Sequence, residues 1–172
     1  LLFVGIDNMS SAMSGLKDVP AFTDLFVKLG KNPFLGILVG AGVTAIIQSS
    51  SASVGILQSL AVAGLIPFNS AVYIIMGQNI GTCVTSIISS IGASKNARRA
   101  AMIHLYFNLI GTTLFMVFFY ALNSFIDFAF LGESANAAGI AVIHSLFNIG
   151  ATIVLFPFSN LLVRLAEITI PD

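Results

Sequence analysis

Thr44, Gln48 and Ser51 lie at i, i+4 and i+7, so a continuous helix would set two hydroxyls and an amide along one face. Ser49 and Ser53 make a second i, i+4 pair, and Gln58-Ser59 extend the polar character. Further on, Gly77-Gln78-Asn79-Ile80-Gly81-Thr82 and then Thr85 offer Asn79, Thr82 and Thr85 as oxygen donors among glycines. A buried hydroxyl or amide without a partner costs about 1–3 kcal/mol. A crowd of them in apolar sequence therefore needs a ligand, water or a protein partner. Three serines after a glutamine make a poor helix interior, because serine side chains compete for the backbone. The pattern predicts a break there, with a half-helix beginning near Ser51-Ala52. Its free N–H groups would carry partial positive charge and attract an anion. Unwound carbonyls and hydroxyls nearby would suit Na⁺. The glycines at 77 and 81 predict a second break of the same kind. Neither segment holds Lys or Arg, so an anion here would rest on dipoles, hydroxyls and co-bound cations. The plainer reading of any single Ser or Gly is close helix packing, which the GxxxG pairs Gly36/Gly40 and Gly77/Gly81 favour.

The elements that carry these residues are membrane helices. Apolar side chains make up 57% of the 172 residues and charged ones 8%, against about 25% charge in a soluble domain. No Asp, Glu, Lys or Arg occurs from Asn32 to Ser94 (63 residues), Ala100 to Ile126 (27) or Ser134 to Val163 (30). A helical crossing takes about 20 mostly apolar residues, so the fold class is an all-α polytopic membrane protein. Zero net charge excludes a nucleic-acid binder held by phosphate contacts. The single cysteine, Cys83, excludes an intrachain disulfide and a multi-thiolate metal centre, and reads as a small packing residue. No basic n-region marks a signal peptide. The start at Leu1, without Met and inside an apolar run, reads as the end of a helix that begins upstream.

Residues 1–172 read as one transmembrane domain, with a motif-bearing unit over 33–91 and two helices within 100–160. The charged stretch 17–31 suits a short interfacial helix or loop. Asn32–Ile66 divides into arms at 33–47 and 52–66, joined through Gln48-Ser49-Ser50-Ser51 as a broken or re-entrant hairpin, with Pro67-Phe68-Asn69 as the turn out. An apolar segment over 70–91 follows, then a basic loop at 92–99, a helix at 100–122, an acidic loop near Asp127 and Glu133, and a helix at 137–160. Lys95, Arg98 and Arg99 place loop 92–99 in the cytoplasm. On that count 123–136 and 17–31 fall outside, the latter against the bias because it carries three lysines, and Arg164 falls inside.

Ile103-His104-Leu105-Tyr106-Phe107-Asn108 returns forty residues later as Ile143-His144-Ser145-Leu146-Phe147-Asn148, with Thr112 and Thr152 in step. His and Asn at i, i+4 share a helix face. They serve either as a proton or substrate relay or, the reading favoured here, as neutral clamps that bond neighbouring helices. Asp7 is the other ionisable group at membrane depth.

Gly42-Val43-Thr44-Ala45-Ile46-Ile47-Gln48-Ser49-Ser50-Ser51-Ala52, followed by Gly77-Gln78-Asn79-Ile80-Gly81-Thr82, resembles the type II sodium–phosphate cotransporter family, particularly its bacterial branch. Arg98-Arg99-Ala100-Ala101 and His104-x-x-Phe107-Asn108 also sit where that family has them, and the likeness spans roughly 1–160. The resemblance implies that the QSSS-bearing unit occurs twice, in inverted halves that build one site between them. This chain shows one QSSS and resembles the second half, so a first half is expected from the same gene upstream or from another subunit. It also implies that Gln48, Ser49, Ser50, Ser51, Asn79 and Thr82 bind substrate and sodium, with Gln48, Ser51, Asn79 and Thr82 as Na⁺ candidates. Thr44, Thr85, His104, Asn108, His144 and Asn148 are expected to support them.

The expected function is sodium-coupled inorganic phosphate transport by alternating access, without catalysis and with no cofactor beyond the coupling ion. The expected setting is the lipid of a bacterial inner membrane. At 100 mV each negative charge carried inward costs ~2.3 kcal/mol, so a divalent anion needs at least two co-entering cations. Two other classes compete. A structural or channel-forming subunit would line a water path with the polar stripe. An intramembrane serine hydrolase would use Ser49, Ser50 or Ser51 with His104 or His144, although no G-x-S-x-G elbow is present.

Overall fold

The computed structural model describes residues 19–29 and 31–171. The expectations for 1–16 and for Asp7 lie outside them. A short helix α1 (Pro20–Asp24) runs into a π-helical turn (Leu25–Leu29). The helices that follow are α2 (Pro33–Ile47), α3 (Ser50–Val62), α4 (Phe68–Ser89), α5 (Lys95–Ile126), α6 (Ala137–Leu155) and α7 (Ser159–Thr169), the last two joined by a 3₁₀ bend at Phe156–Phe158. Apart from an isolated bridge between Pro67 and Ser134, the described residues form no β-structure.

Each boundary has a local cause. Asn32 caps α2 by accepting from the amides of Phe34 (3.0 Å) and Leu35 (3.2 Å), and Pro33 sits at the first position, where its missing N–H costs nothing. The helix ends at Gln48, which is left-handed at φ 56° and whose amide donates to the Thr44 carbonyl at 2.7 Å. Ser49 then returns to an extended backbone and caps α3 through Ser49 Oγ, which accepts from the Ala52 amide at 3.3 Å. The break expected at the serine run is thus a two-residue reversal, and α3 begins at Ser50, about one residue ahead of the predicted start. Helix α5 starts inside the predicted basic loop because Ser94 caps it. Its 32 residues span about 48 Å at 1.5 Å each, more than the ~30 Å hydrocarbon core, so the basic first turns extend past the lipid tails. Pro157 ends the helix predicted over 137–160 early, at Leu155.

The second predicted break does not exist. Helix α4 runs unbroken through Gly77–Thr82. Its polar side chains bond one turn back instead of displacing the backbone: Asn79 Nδ2 donates to the Ile75 carbonyl and Thr82 Oγ1 to the Gln78 carbonyl, both at 2.9 Å. The glycines serve packing. A Cβ on Gly77 would overlap the Ile37 carbonyl oxygen and lie 2.8 Å from the Ala41 amide nitrogen. On Gly81 it would lie 2.5 Å from the Ala41 carbonyl oxygen, and on Gly40 2.9 Å from the Ile74 carbonyl carbon. Because 37 meets 77 and 41 meets 81, α2 and α4 run parallel with backbones in direct contact, as GxxxG surfaces permit.

Helix α4 is the axis of the molecule, with every residue from Ser70 to Asn79 buried. Its start is tied to the loop before α6: Phe68 N donates to Glu133 O (3.0 Å) and Ala135 N to Ile66 O (2.8 Å). Helix α5 returns antiparallel, with Tyr120 stacked on Tyr73 at 6.1 Å and their hydroxyls bonded at 2.8 Å. Phe115 meets Phe147 edge-on at 5.5 Å, which packs α5 on α6. Helix α7 folds back on the first half of α5, where Arg99 Nε donates to Ile170 O at 3.0 Å. Among the described residues three helical stretches, Phe68–Ser89, Lys95–Ile126 and Ala137–Thr169, are long and apolar enough to cross a membrane. The first is 61% buried over its most apolar stretch, the others 17% and 22%. Those two therefore present apolar flanks that suit lipid, and α2 and α3 are too short to cross alone.

Candidate functional site

Four helices meet around a cavity of about 360 Å³. Ser50 enters from the first turn of α3, Asn79 and Thr82 from α4, His104, Phe107 and Asn108 from α5, and His144 and Asn148 from α6. The repeated His-x-x-Phe-Asn motif explains the last two contributions. Its i, i+4 spacing keeps His and Asn on one face of each helix, and the antiparallel packing of α5 on α6 turns both faces inward.

The three asparagines share one hydrogen-bond habit. Asn79 Nδ2 donates to the Ile75 carbonyl (2.9 Å), Asn108 Nδ2 to the His104 carbonyl (3.0 Å) and Asn148 Nδ2 to the His144 carbonyl (2.8 Å). A carbonyl can only accept, so each amide nitrogen is fixed against its own helix and each Oδ1 is left as the free end. Among the described residues none of these three oxygens has a partner. The cavity thus offers neutral oxygen acceptors, with the hydroxyls of Ser50 and Thr82 beside them, a donor set that suits a hard cation.

The opposite polarity enters with α3. Ser49 Oγ and Ser49 O take up the amides of Ala52 and Ser53, whereas the amides of Ser50 and Ser51 have no partner among the described residues. Together with the dipole of a 13-residue helix, they make the α3 end electropositive. An anion at Ser50 and a cation among the asparagine oxygens would fit one cavity without a charged side chain.

The other predicted residues fall around this centre. Gln48 and Ser51 are exposed at the hairpin tip, and Ser49 is half-buried as the cap. Thr85 Oγ1 donates to the Thr82 carbonyl at 2.8 Å, outside the cavity wall. Thr44 is buried and donates to Ser53 Oγ at 2.8 Å. His104 Nδ1 shares a 3.1 Å hydrogen bond with Ser86 Oγ, and Asn108 Nδ2 reaches Cys83 Sγ at 3.3 Å, so this pair fastens α5 to α4. His144 and Asn148 make no such bond to a neighbouring helix among the described residues. Sequence reasoning left Phe107, Ser53 and Gln78 out of the site. Gln78 and Ser53 bond each other at 2.9 Å, a contact between helices that no spacing within one helix could reveal.

A family model described as Na+/Pi-cotransporter matches residues 1–160. YqeW of Bacillus subtilis is 30% identical over 172 residues, covering 99% of this chain and 55% of that protein. The sodium-dependent phosphate transport protein 2A of Rattus norvegicus is 45% identical over 83 residues, or 45% of this chain and 13% of that one. YjbB of Salmonella typhimurium, named for inorganic phosphate export, is 28% identical over 127 residues, covering 74% and 23%. The chain thus spans about half of the Bacillus relative and a small part of the others. No solved structure matches it.

Proposed function

The chain belongs to the Na+/Pi-cotransporter family, a family of transporters and not of enzymes, and from that premise we propose that it forms one half of a sodium-coupled carrier of inorganic phosphate. Membership removes the serine hydrolase as a reading. The observation that supports the proposal most is the single cavity that joins an electropositive helix end at Ser50 to the oxygens of Asn79, Asn108, Asn148 and Thr82. Phosphate binds at the Ser50 and Ser51 amides and the Ser50 hydroxyl, with a neutral His144 ring N–H as a further donor. One Na⁺ sits among the asparagine oxygens and neutralises part of the anion's charge. Gln48 and Ser51, exposed at the tip, and the half-buried cap Ser49 complete the site against the matching hairpin of a first half, which lies upstream or in a second subunit.

Alternating access follows from relative motion of the α2–α3 hairpin and the α5–α6 pair, each of which contributes one wall. The protein works in a bacterial inner membrane with loop 92–99 in the cytoplasm. The name of YjbB raises net outward movement as a second reading of direction; the same site serves both, because the gradients decide which way a coupled carrier runs.

The test is radiolabelled phosphate flux in proteoliposomes, inward and outward, with and without a sodium gradient, for the full-length protein and the 172-residue chain side by side. Sodium-driven, saturable flux by the full-length protein alone is expected, with Ser50→Ala lowering it by about 10- to 100-fold at unchanged insertion, the range typical of losing one supporting ligand group. Ion conduction without phosphate saturation would establish the channel instead, and normal flux in Ser50→Ala would remove the anion site from α3.

A further inference from the structure

One hydrogen bond joins the wall of the central cavity to that of a second, outer cleft. The cleft has a volume of about 280 Å³ and lies between the end of α4, which contributes Ser86, Ser89 and Ser90, and the start of α5, which contributes Ala97, Ala100 and Ala101. On α4 the positions Asn79, Thr82, Ser86 and Ser89 follow at i, i+3, i+7 and i+10, so the polar walls of cavity and cleft are one stripe. On α5 Ala97, Ala101, His104 and Asn108 follow at i, i+4, i+7 and i+11 and make the facing stripe. Because the two helices are antiparallel, the stripes run side by side from the cavity to the 92–99 end of the pair. His104 lines the cavity, Ser86 lines the cleft, and Ser86 Oγ shares a 3.1 Å hydrogen bond with His104 Nδ1 across the wall between them.

We propose that Ser86 and His104 form the gate through which the anion leaves the cavity, with the outer cleft as its vestibule on the loop 92–99 side. The inference rests on the carrier reading and deepens it, by assigning a route and the residues that control release rather than binding. Charge selects an anion for this route. No Asp or Glu occurs from Asn32 to Ile126, whereas Lys95 and Arg98 stand exposed in the first two turns of α5, among the alanines that wall the cleft. A basic rim without a carboxylate favours a small anion over a cation.

The bond holds the His104 ring between the two spaces. Once it breaks, the ring is free to turn, and the cleft beyond is lined by nothing larger than a hydroxyl or a methyl group. One hydrogen bond between half-buried groups is weak in net terms, so it can break and re-form within a transport cycle. His144, the counterpart in the repeated motif, makes no bond to a neighbouring helix among the described residues. The two histidines are therefore not interchangeable: His104 is the latch, and His144 keeps its ring for the ligand.

The experiment uses the full-length protein in membrane vesicles and compares wild type, Ser86→Ala and Ser86→Thr. It reads phosphate efflux in the absence of sodium. With Thr82→Cys added to each, it also reads the rate of labelling by a charged, membrane-impermeant thiol reagent on the loop 92–99 side. Labelling of the same proteins without Thr82→Cys is subtracted; Cys83 itself is buried. In Ser86→Ala both quantities are expected to rise about 5- to 10-fold, the shift in open population that loss of one hydrogen bond produces. Ser86→Thr keeps the hydroxyl and is expected to return both to wild-type values. A purely structural role for Ser86 would lower stability and sodium-driven flux without opening a sodium-free path. Unchanged labelling and efflux in Ser86→Ala would overturn the gate, as would a rise that Ser86→Thr does not reverse. If Ser86→Ala does not fold, Ala97→Phe decides. It fills the cleft from its exposed wall and is expected to slow sodium-driven flux while equilibrium phosphate binding is retained, and wild-type flux there would overturn the proposal. Faster labelling in Ser86→Ala, in a protein whose wild type moves no phosphate, would sink the carrier reading and leave the gated passage standing. Normal sodium-driven flux with unchanged labelling would do the reverse.

Discussion

Gly77→Ala is expected to eliminate the folded protein, although it adds one methyl group to a helix that alanine ordinarily favours. The new Cβ would overlap the Ile37 carbonyl oxygen, and its next neighbours are also backbone: the Ala41 nitrogen and the Ile37 carbon, both at 2.8 Å. No rotamer change relieves a clash with backbone. Relief requires α2 to move off α4, which separates the most intimate helix pair in the molecule and opens the core lined by Val39, Val43 and Ile74. Overpacking costs about 1–3 kcal/mol where side chains can yield, so a larger loss is expected where they cannot. Gly42→Ala is the matched control. It lies on the same α2 with nothing within 4 Å of its Cβ position, and it is expected to be neutral or slightly stabilising, as alanine gains roughly 0.5–1 kcal/mol over glycine in a helix. Size-exclusion profiles and melting of the two variants in detergent are the measurement. A monodisperse Gly77→Ala protein with wild-type melting would refute the parallel backbone contact.

The second large effect is expected at Gln48, and glycine is the informative replacement. Gln48 holds φ 56°, a left-handed backbone that costs an ordinary L-residue roughly 1–2 kcal/mol and glycine almost nothing. Gln48→Gly therefore relaxes the reversal between α2 and α3 and is expected to keep or raise stability. At the same time it deletes the exposed amide that, on the proposed function, meets the other half of the transport site. Sodium-driven phosphate flux is expected to fall by about 10- to 100-fold with the fold intact, again the scale of one lost supporting ligand. Gln48→Ala loses the same amide while keeping the strain, so a comparison of the two separates backbone from side chain. Flux that survives in both variants would take Gln48 out of the site. A strained non-glycine residue at the tip of a broken helix is the kind of position where stability is given up for function.

Much of this was legible before folding. Charge-free runs longer than a bilayer crossing fixed the class, because no water-soluble core needs 63 residues without a charge. The serine run announced the hairpin through the poor helix propensity of Ser and the caps it offers. Family membership could be read from the order of three short motifs; of the cavity residues, Asn79, Thr82, His104, Asn108, His144 and Asn148 were named from types and spacing, and Ser50 from the resemblance to that family.

Other features were decided only in three dimensions. The glycines of Gly77–Thr82 are compatible with a break and with a tight helix contact. Only the presence of α2 alongside chose the contact, since a neighbour's backbone occupies the space that each Cβ would need. The i, i+4 rule puts His144 beside Asn148, but not either of them beside His104 and Asn108; antiparallel packing of α5 on α6 did that. The Thr44, Ser53 and Gln78 cluster joins three helices across 34 residues of chain. A sequence records that three polar side chains are each going to be buried somewhere. Which of them share a partner, and which oxygen is left over, is settled by geometry between helices, where the local periodicities of the chain carry no information.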